Sequence, residues 1–172
     1  MEARVVLVAG AGIAKEGPAL EQTEADWDAV VDTNLKGAFF MAQAAARAMK
    51  AHGRGGSIVS IASILGLRQI ASVLPYSVSK AGVIQMTKTL ALECASYGIR
   101  VNVIAPGYFD TDINGWLWDT DVGKAMVRRV PQRWLGTLSD LDGPLLLLAS
   151  DASAHMTGAV LAVDGGHLVS TL

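Results

Sequence analysis

The sequence holds one cysteine in 172 residues, Cys94, which excludes an internal disulfide and fits a reducing cytosol. Its three histidines, His52, His155 and His167, stand apart with no carboxylate or thiol at ligand spacing, so no metal site is expected. Charge of one sign is not in excess: 14 Lys and Arg face 16 Asp and Glu, for a net charge of −2 and a pI near 5.9. That balance offers no electrostatic footprint for nucleic acid. Apolar runs such as Leu145 to Ala149 fall far short of the ~20 residues of a membrane span. The opening Met1-Glu2-Ala3-Arg4 lacks the charged and apolar regions of a signal peptide. A cytoplasmic protein with no membrane or nucleic-acid partner is expected.

What is present suits a compact α/β chain. Hydrophobic residues make up 51% and glycines number 18, a composition unlike that of a disordered chain. At this length one domain over 1–172 is expected, able to bury about two-thirds of its unfolded surface. There is no internal repeat and no low-complexity linker.

The chain is organised around Ser63 to Lys80. Ser57-Ile58-Val59-Ser60-Ile61-Ala62 reads as a short buried strand, which puts Ser63 at its carboxyl end. Pro75 suits a helix's first turn, and the run from Ser77 to Tyr97 has helical spacing and stops at Gly98. Tyr76 and Lys80 therefore share one helical face, one turn apart. Free tyrosine titrates near pH ~10, too high for a base at neutral pH. An ammonium one turn away is expected to lower that value, so that Tyr76 exchanges a proton with a substrate oxygen while Ser63 donates to it. The plain alternative is a half-buried aromatic beside a solvated helix lysine.

In chain order, Arg4 to Val8 is a strand, and Ala9-Gly10-Ala11-Gly12 is a tight turn in which Gly10 and Gly12 allow close backbone approach to a ligand. Thr23-Glu24-Ala25-Asp26 caps a long helix with an apolar stripe of Trp27, Val30, Val31, Leu35, Ala38, Phe39 and Ala42. Asn34 interrupts that stripe, either bonded to backbone at a helix bend or serving a polar relay; the two are compatible. Arg100 to Ile104 is a strand, ending in Ala105-Pro106-Gly107-Tyr108-Phe109-Asp110-Thr111. Residues 112–138 carry three of the four tryptophans and three arginines, a mix suited to a substrate lid or an interface. Asp140 to Ser150 is a short apolar helix and Ala159 to Val163 the last strand. Strands alternating with helices give a three-layer, Rossmann-like parallel sheet of about four strands with helices on both faces.

With these pieces in place the chain resembles the short-chain dehydrogenase/reductase family. The resemblance rests on Asn34 in Asp-Thr-Asn-Leu-Lys-Gly, Ser63 after Val-Ser-Ile-Ala and Tyr76-Ser-Val-Ser-Lys80. It extends to Ile99-Arg-Val-Asn-Val-Ile-Ala-Pro-Gly107 and Val163-Asp-Gly-Gly166. It implies an oxidoreductase moving a hydride between NAD or NADP and a carbonyl or secondary alcohol. Tyr76 is then the general acid/base, Ser63 the holder of the substrate oxygen, and Lys80 the group that lowers the tyrosine's pKa and grips the nicotinamide ribose. Asn34 holds a relay water, and Pro106, Gly107 and Thr111 line the nicotinamide.

The front departs from the family pattern. The family opens with a strand, a Thr-Gly-x-x-x-Gly-x-Gly turn and a helix for the pyrophosphate, and a later strand ends in Asn-Asn-Ala-Gly. Here the first strand runs straight into Ile13-Ala14-Lys15-Glu16-Gly17-Pro18, the segment that normally follows Asn-Asn-Ala-Gly. Ala9-Gly10-Ala11-Gly12 can be the stump of either turn; Met1 to Val8 resembles more the family's opening strand, joined past a gap of about two βα units, so the chain lacks most of the cofactor-binding front. Gly-x-Gly-x-x-Gly fails, with Lys15 in place of the third glycine. Weak or absent dinucleotide binding is the consequence expected. Two other readings stay open: a non-catalytic scaffold that mainly self-associates, and cofactor-independent proton transfer by the same Ser-Tyr-Lys set. An uncovered sheet edge also leads to an expected homo-oligomer, with a monomer covered by residues 112–138 as the alternative.

Overall fold

The computed structural model describes residues 5–111 and 115–170. Four parallel strands form one sheet in the order β1 (Val5–Ala9), β2 (Gly56–Ile61), β3 (Ile99–Pro106) and β4 (Val160–Val163). The register runs Val5↔Gly56, Ile61↔Ile104 and Val103↔Val160. Parallel neighbours require long crossovers, and helices supply them. Between β1 and β2 lie α1 (Glu24–Val31), a π-helical turn at Asp32–Lys36, and α2 (Gly37–His52). The single helix α3 (Leu74–Cys94) joins β2 to β3. The last crossover holds α4 (Gly115–Trp118), α5 (Asp121–Val127) and α6 (Asp142–Ala149).

The two central strands are buried on both faces, so their sequences read as near-continuous apolar runs. Alternation still sorts the side chains. Ile58 and Val101 pack with Ala42, Met49 and Ala91 of α2 and α3, while Val59 and Ile104 pack with Leu148 of α6. Each fully buried aliphatic side chain contributes roughly 1.5–3 kcal/mol. Three layers result, as the sequence implies.

Local chemistry sets the helix limits. The Thr23 hydroxyl accepts from the Asp26 amide at 3.1 Å to cap α1, and α2 stops at Gly53 with φ of 68°. Pro75 lies in the first turn of α3, which therefore begins ahead of Ser77; its last turn tightens to a 3₁₀ turn that ends at Gly98. The long first helix is bent by its π turn, and Asn34 sits in that turn. Trp27, expected in the apolar stripe, is exposed. The reason is positional: α1 packs on α3, whereas α2 packs on β1 and β2.

The expectation for the first strand is corrected. β1 pairs directly with β2 over five residues, and the chain leaving it brings the Ile13 main chain onto the Asn34 amide. That is the place of the strand ending in Asn-Asn-Ala-Gly, because residues 13–18 continue from it without a break. Ala9 and Gly10 then stand where that motif has its two asparagines. The alternative in which residues 112–138 cover the strand is also corrected. Its described part, residues 115–138, packs at the far end of the sheet, through Trp118 on Tyr108, the Phe109–Gly136 bridge and Gln132 on Gly165; residues 112–114 lie outside the described residues. Val6 and Val8 stay 40% and 44% exposed.

Candidate active site

Ser63 follows the end of β2 and caps a 3₁₀ turn at Ile64–Gly66, its hydroxyl accepting from the Leu65 amide at 3.1 Å. The same side chain lies near enough to the Tyr76 phenol to pull its pKa down. Tyr76 stands in the first turn of α3, and Lys80 one turn on is 4% exposed. The ammonium donates to the Ile61 carbonyl at 3.0 Å and lies 5.6 Å from the Tyr76 ring centroid. Serine, phenol and ammonium thus meet at the carboxyl end of β2, as the spacing requires.

Their electrostatics differ from the sequence expectation. Burial pushes the Tyr76 phenol up, and it is the Ser63 side chain that pulls it back. Burial also weakens the Lys80 ammonium, bringing it down to about 8. The physical cause is shared: both groups are desolvated, and the ammonium points at a main-chain carbonyl instead of the phenol oxygen.

Asn34, 1% exposed, uses both ends of its amide and both Nδ2 hydrogens. Oδ1 accepts from the Ile13 amide at 2.8 Å, and Nδ2 donates to the Ile13 carbonyl at 2.9 Å and to Ser79 Oγ at 3.0 Å. Ser79 in turn donates to the Tyr76 carbonyl at 2.7 Å. The side chain clamps the loop after β1 to the helix that carries Tyr76. It is bound to backbone at a helix bend, and its amide has no donor left for a relay water.

Gly12 lies inside this group: a β-carbon there would stand 3.3 Å from both Asn34 Oδ1 and Lys80 Nζ. Gly10 meets only the Ile61 side chain. One strand over, β3 continues past the last register pair, Ile61↔Ile104, to Pro106. Gly107 donates its amide to the Val163 carbonyl at 2.9 Å, and a β-carbon on it would meet Asp164 at 2.7 Å. Thr111 is half-buried past that turn, its carbonyl accepting from the Gly115 amide at 2.8 Å. Asn34, Ser63, Tyr76, Lys80 and Gly12 form one cluster, and Pro106 and Gly107 flank it from the next strand.

The sequence reading missed two polar sets. Arg100 is buried under β3, donating to Ser153 Oγ at 2.7 Å and to the Leu148 and Ser150 carbonyls at 3.0 Å each. Asn102 holds the Met156 carbonyl at 2.9 Å and the Ala159 amide at 3.0 Å, aligning the chain entering β4. The signal was available, since Arg-x-Asn in a strand buried on both faces places two polar side chains on one inner face. The second set joins Arg68, Tyr108 and His167 from three distant stretches, which no spacing rule connects.

Among the described residues no helix is long and apolar enough to cross a membrane. A family model described as Enoyl-(Acyl carrier protein) reductase matches residues 4–167. The chain is 43% identical over 164 residues to 2-dehydro-3-deoxy-D-gluconate 5-dehydrogenase of Escherichia coli (strain K12), covering 95% of this chain. It spans 65% of that relative's length. L-rhamnose 1-dehydrogenase (NAD(P)(+)) of Azotobacter vinelandii is also 43% identical, over 166 residues, 96% of this chain and 65% of the relative. The solved gluconate 5-dehydrogenase of Burkholderia cenocepacia J2315, in complex with NADP and tartrate, superposes with a TM-score of 0.93 at 36% identity. The match covers 96% of this chain and 65% of that one. With its sheet order, its Ser63, Tyr76 and Lys80 cluster and these matches, the chain belongs to the short-chain dehydrogenase/reductase family.

Proposed function

We propose that the chain serves an NAD- or NADP-dependent oxidoreductase acting on a small carbonyl or secondary alcohol. The observation that carries this reading is the Tyr76 phenol, with the Ser63 side chain beside it and the Lys80 ammonium one turn away. Reducing a carbonyl adds a hydride at carbon, supplied by the reduced nicotinamide when bound, and a proton at oxygen. Tyr76 supplies that proton, and Ser63 donates a hydrogen bond to the oxygen as its charge changes. Lys80, turned onto the Ile61 carbonyl, supplies a positive charge 5.6 Å from the Tyr76 ring while it stays protonated. The residues fit the nicotinamide and its ribose: Gly12 leaves the space beside Lys80 and Asn34 clear of a side chain, and Pro106, Gly107 and Thr111 border the same edge. NADP or NAD in the named relatives supports the cofactor class, and their substrates support a small polyhydroxylated one.

The fit is partial. β1 holds the place of the later strand, and among the described residues no strand lies beyond it. The described residues therefore hold no counterpart of the opening strand, turn and helix that would meet a pyrophosphate. Binding energy from that half also positions the reacting ring, so cofactor binding and turnover by this chain are weak. The same observation favours the second reading, a non-catalytic scaffold that keeps the fold and self-associates. In either case a homo-oligomer in the cytoplasm, with residues 112–138 at an interface or over the substrate, accounts for the exposed Phe40, Met41, Leu92, Trp116 and Trp134.

The test is NADPH-linked reduction of a 2-keto sugar acid by the chain and by Tyr76→Phe. Loss of nearly all turnover in a variant that keeps its circular dichroism is the expected result. Turnover at the parent level in Tyr76→Phe rejects the assignment, and no turnover in either protein favours the scaffold.

A further inference from the structure

We propose that the cavity between the end of β4 and residues 132–140 is a binding site for a small quaternary ammonium compound, separate from the catalytic cluster. The inference does not depend on the oxidoreductase reading, and its test needs no turnover.

The cavity has a volume of about 380 Å³, within the range of small-molecule sites. Three aromatic residues line it, Tyr108, Phe109 and Trp134, together with Gln132 and the acidic Asp140 and Asp164. None of its lining residues belongs to the cluster of Asn34, Ser63, Tyr76 and Lys80. Pairing between distant stretches holds the walls. Gly136 donates its amide to the Tyr108 carbonyl at 2.9 Å and accepts at its own carbonyl from the Asp110 amide at 3.2 Å. The Gln132 amide donates to the Gly165 carbonyl at 3.2 Å, which ties the segment to the turn after β4. A β-carbon on Gly136 would stand 2.6 Å from the Phe109 ring, so glycine is what lets the chain close on that ring. Phe109 itself is buried, and Tyr108 is braced by the His167 ring at 4.8 Å and the Trp118 ring at 5.5 Å. Two of the three rings are therefore fixed before any ligand arrives. Trp134, half-exposed, follows Arg133, whose φ of 65° is uncommon for a residue with a side chain.

Charge decides what this cavity suits. Both carboxylates are held by neutral donors. Asp164 accepts from the Gly166 amide at 2.9 Å and the Leu168 amide at 2.7 Å, and Asp140 from the Thr137 amide at 2.7 Å and hydroxyl at 2.9 Å. No lysine, arginine or histidine is in the lining. Two arginines near it in the chain or the fold have other partners: Arg133 donates to the Arg128 carbonyl, and Arg68 to the His167 carbonyl and the Ser170 hydroxyl. Ring faces are negative, and a cation over them is attracted more strongly where water is excluded. A quaternary ammonium combines that charge with methyl groups that pack on the rings as apolar surface. An anion would meet two carboxylates here, and a neutral ligand of the same shape forgoes the attraction to the rings and to Asp140 and Asp164.

The test titrates the chain with choline chloride and with its uncharged isostere, in which a carbon atom replaces the quaternary nitrogen, at constant ionic strength. The ligand's methyl proton NMR signal reports binding, because aromatic ring currents shift it. Choline is expected to bind roughly tenfold more tightly than the isostere. Trp134→Leu, which removes the exposed ring, should bring the two within about twofold of each other. Asp140→Asn, which can still accept from Thr137, should fall between. Tyr76→Phe should keep the full preference, because the catalytic cluster is no part of this cavity. Equal binding of the two ligands, no binding of either, an undiminished preference in Trp134→Leu, or its loss in Tyr76→Phe overturns the proposal. If Trp134→Leu loses its circular dichroism, Asp140→Asn decides, and an undiminished preference there overturns the proposal as well.

Discussion

Lys80 Nζ donates to the Ile61 carbonyl at 3.0 Å, so the ammonium at the candidate active site is anchored to the end of β2. Burial brings its pKa from 10.5 to about 8. A lysine whose folded pKa is depressed is charged in both states below pH 8 and there carries the full cost of burial. Between pH 8 and 10.5 the unfolded chain holds the proton and the folded chain does not, so stability from this group rises with pH. Urea denaturation of the parent and of Lys80→Met at pH 7 and pH 9.5 checks this. The parent should gain relative to the variant by on the order of 1–3 kcal/mol as pH rises. A constant difference would mean that Lys80 is not desolvated.

Gly107 has a packing reason to be glycine apart from any cofactor. A β-carbon there would stand 2.7 Å from both Cα and Cβ of Asp164, main-chain and side-chain atoms already tied into the turn after β4. Gly107→Ala should therefore lower stability by roughly 1–3 kcal/mol, as overpacking does. Thermal denaturation without any ligand isolates this effect. An unchanged midpoint would show that the two turns do not approach so closely.

The two halves of a dinucleotide should contribute unequally. On the proposed reading the nicotinamide end would meet Gly12, Tyr76, Lys80 and Gly107, whereas among the described residues no strand lies beyond β1 to carry a pyrophosphate helix. NADPH and reduced nicotinamide mononucleotide are expected to bind this 172-residue chain within about tenfold of each other, a difference of ~1.4 kcal/mol or less. Calorimetry settles it. A hundredfold advantage for NADPH would show that other residues, or a second copy, hold the adenosine half.

Much of this was legible in the sequence because it is local. Tyr76 and Lys80 are one helical turn apart, and Pro75, Gly53 and Gly98 mark helix ends by backbone chemistry that a sequence displays. Ser63 at a strand end follows from a buried run of fixed length. What failed depends on partners far along the chain. The direction of the Tyr76 shift depends on how deeply the fold buries the phenol, which residues far along the chain decide. The place of β1 depends on pairing with residues fifty positions away, and exposure of Trp27 depends on α1 standing clear of the sheet. The Arg68–His167 tie spans 99 residues.

Assembly is the last expectation, and β1 carries it. The strand stands at one end of the sheet order, with β2 on one side and no described strand on the other. Its outer edge presents unpaired N–H and C=O groups, and Val6 and Val8 on the face away from α2 are 40% and 44% exposed. A flat apolar edge without charge or proline is the kind that pairs with another chain. Nothing between Val5 and Ala9 blunts it. At the opposite end, Leu146 of α6 and Val169 after β4 are exposed as well, so association there is a separate event. Light scattering at micromolar concentration should give at least twice the 18.0 kDa of one chain. Val6→Lys with Val8→Glu should then shift the mass downward if β1 is the contact, and leave it unchanged if the β4 end is. A monodisperse 18.0 kDa species in the parent rejects the oligomer outright.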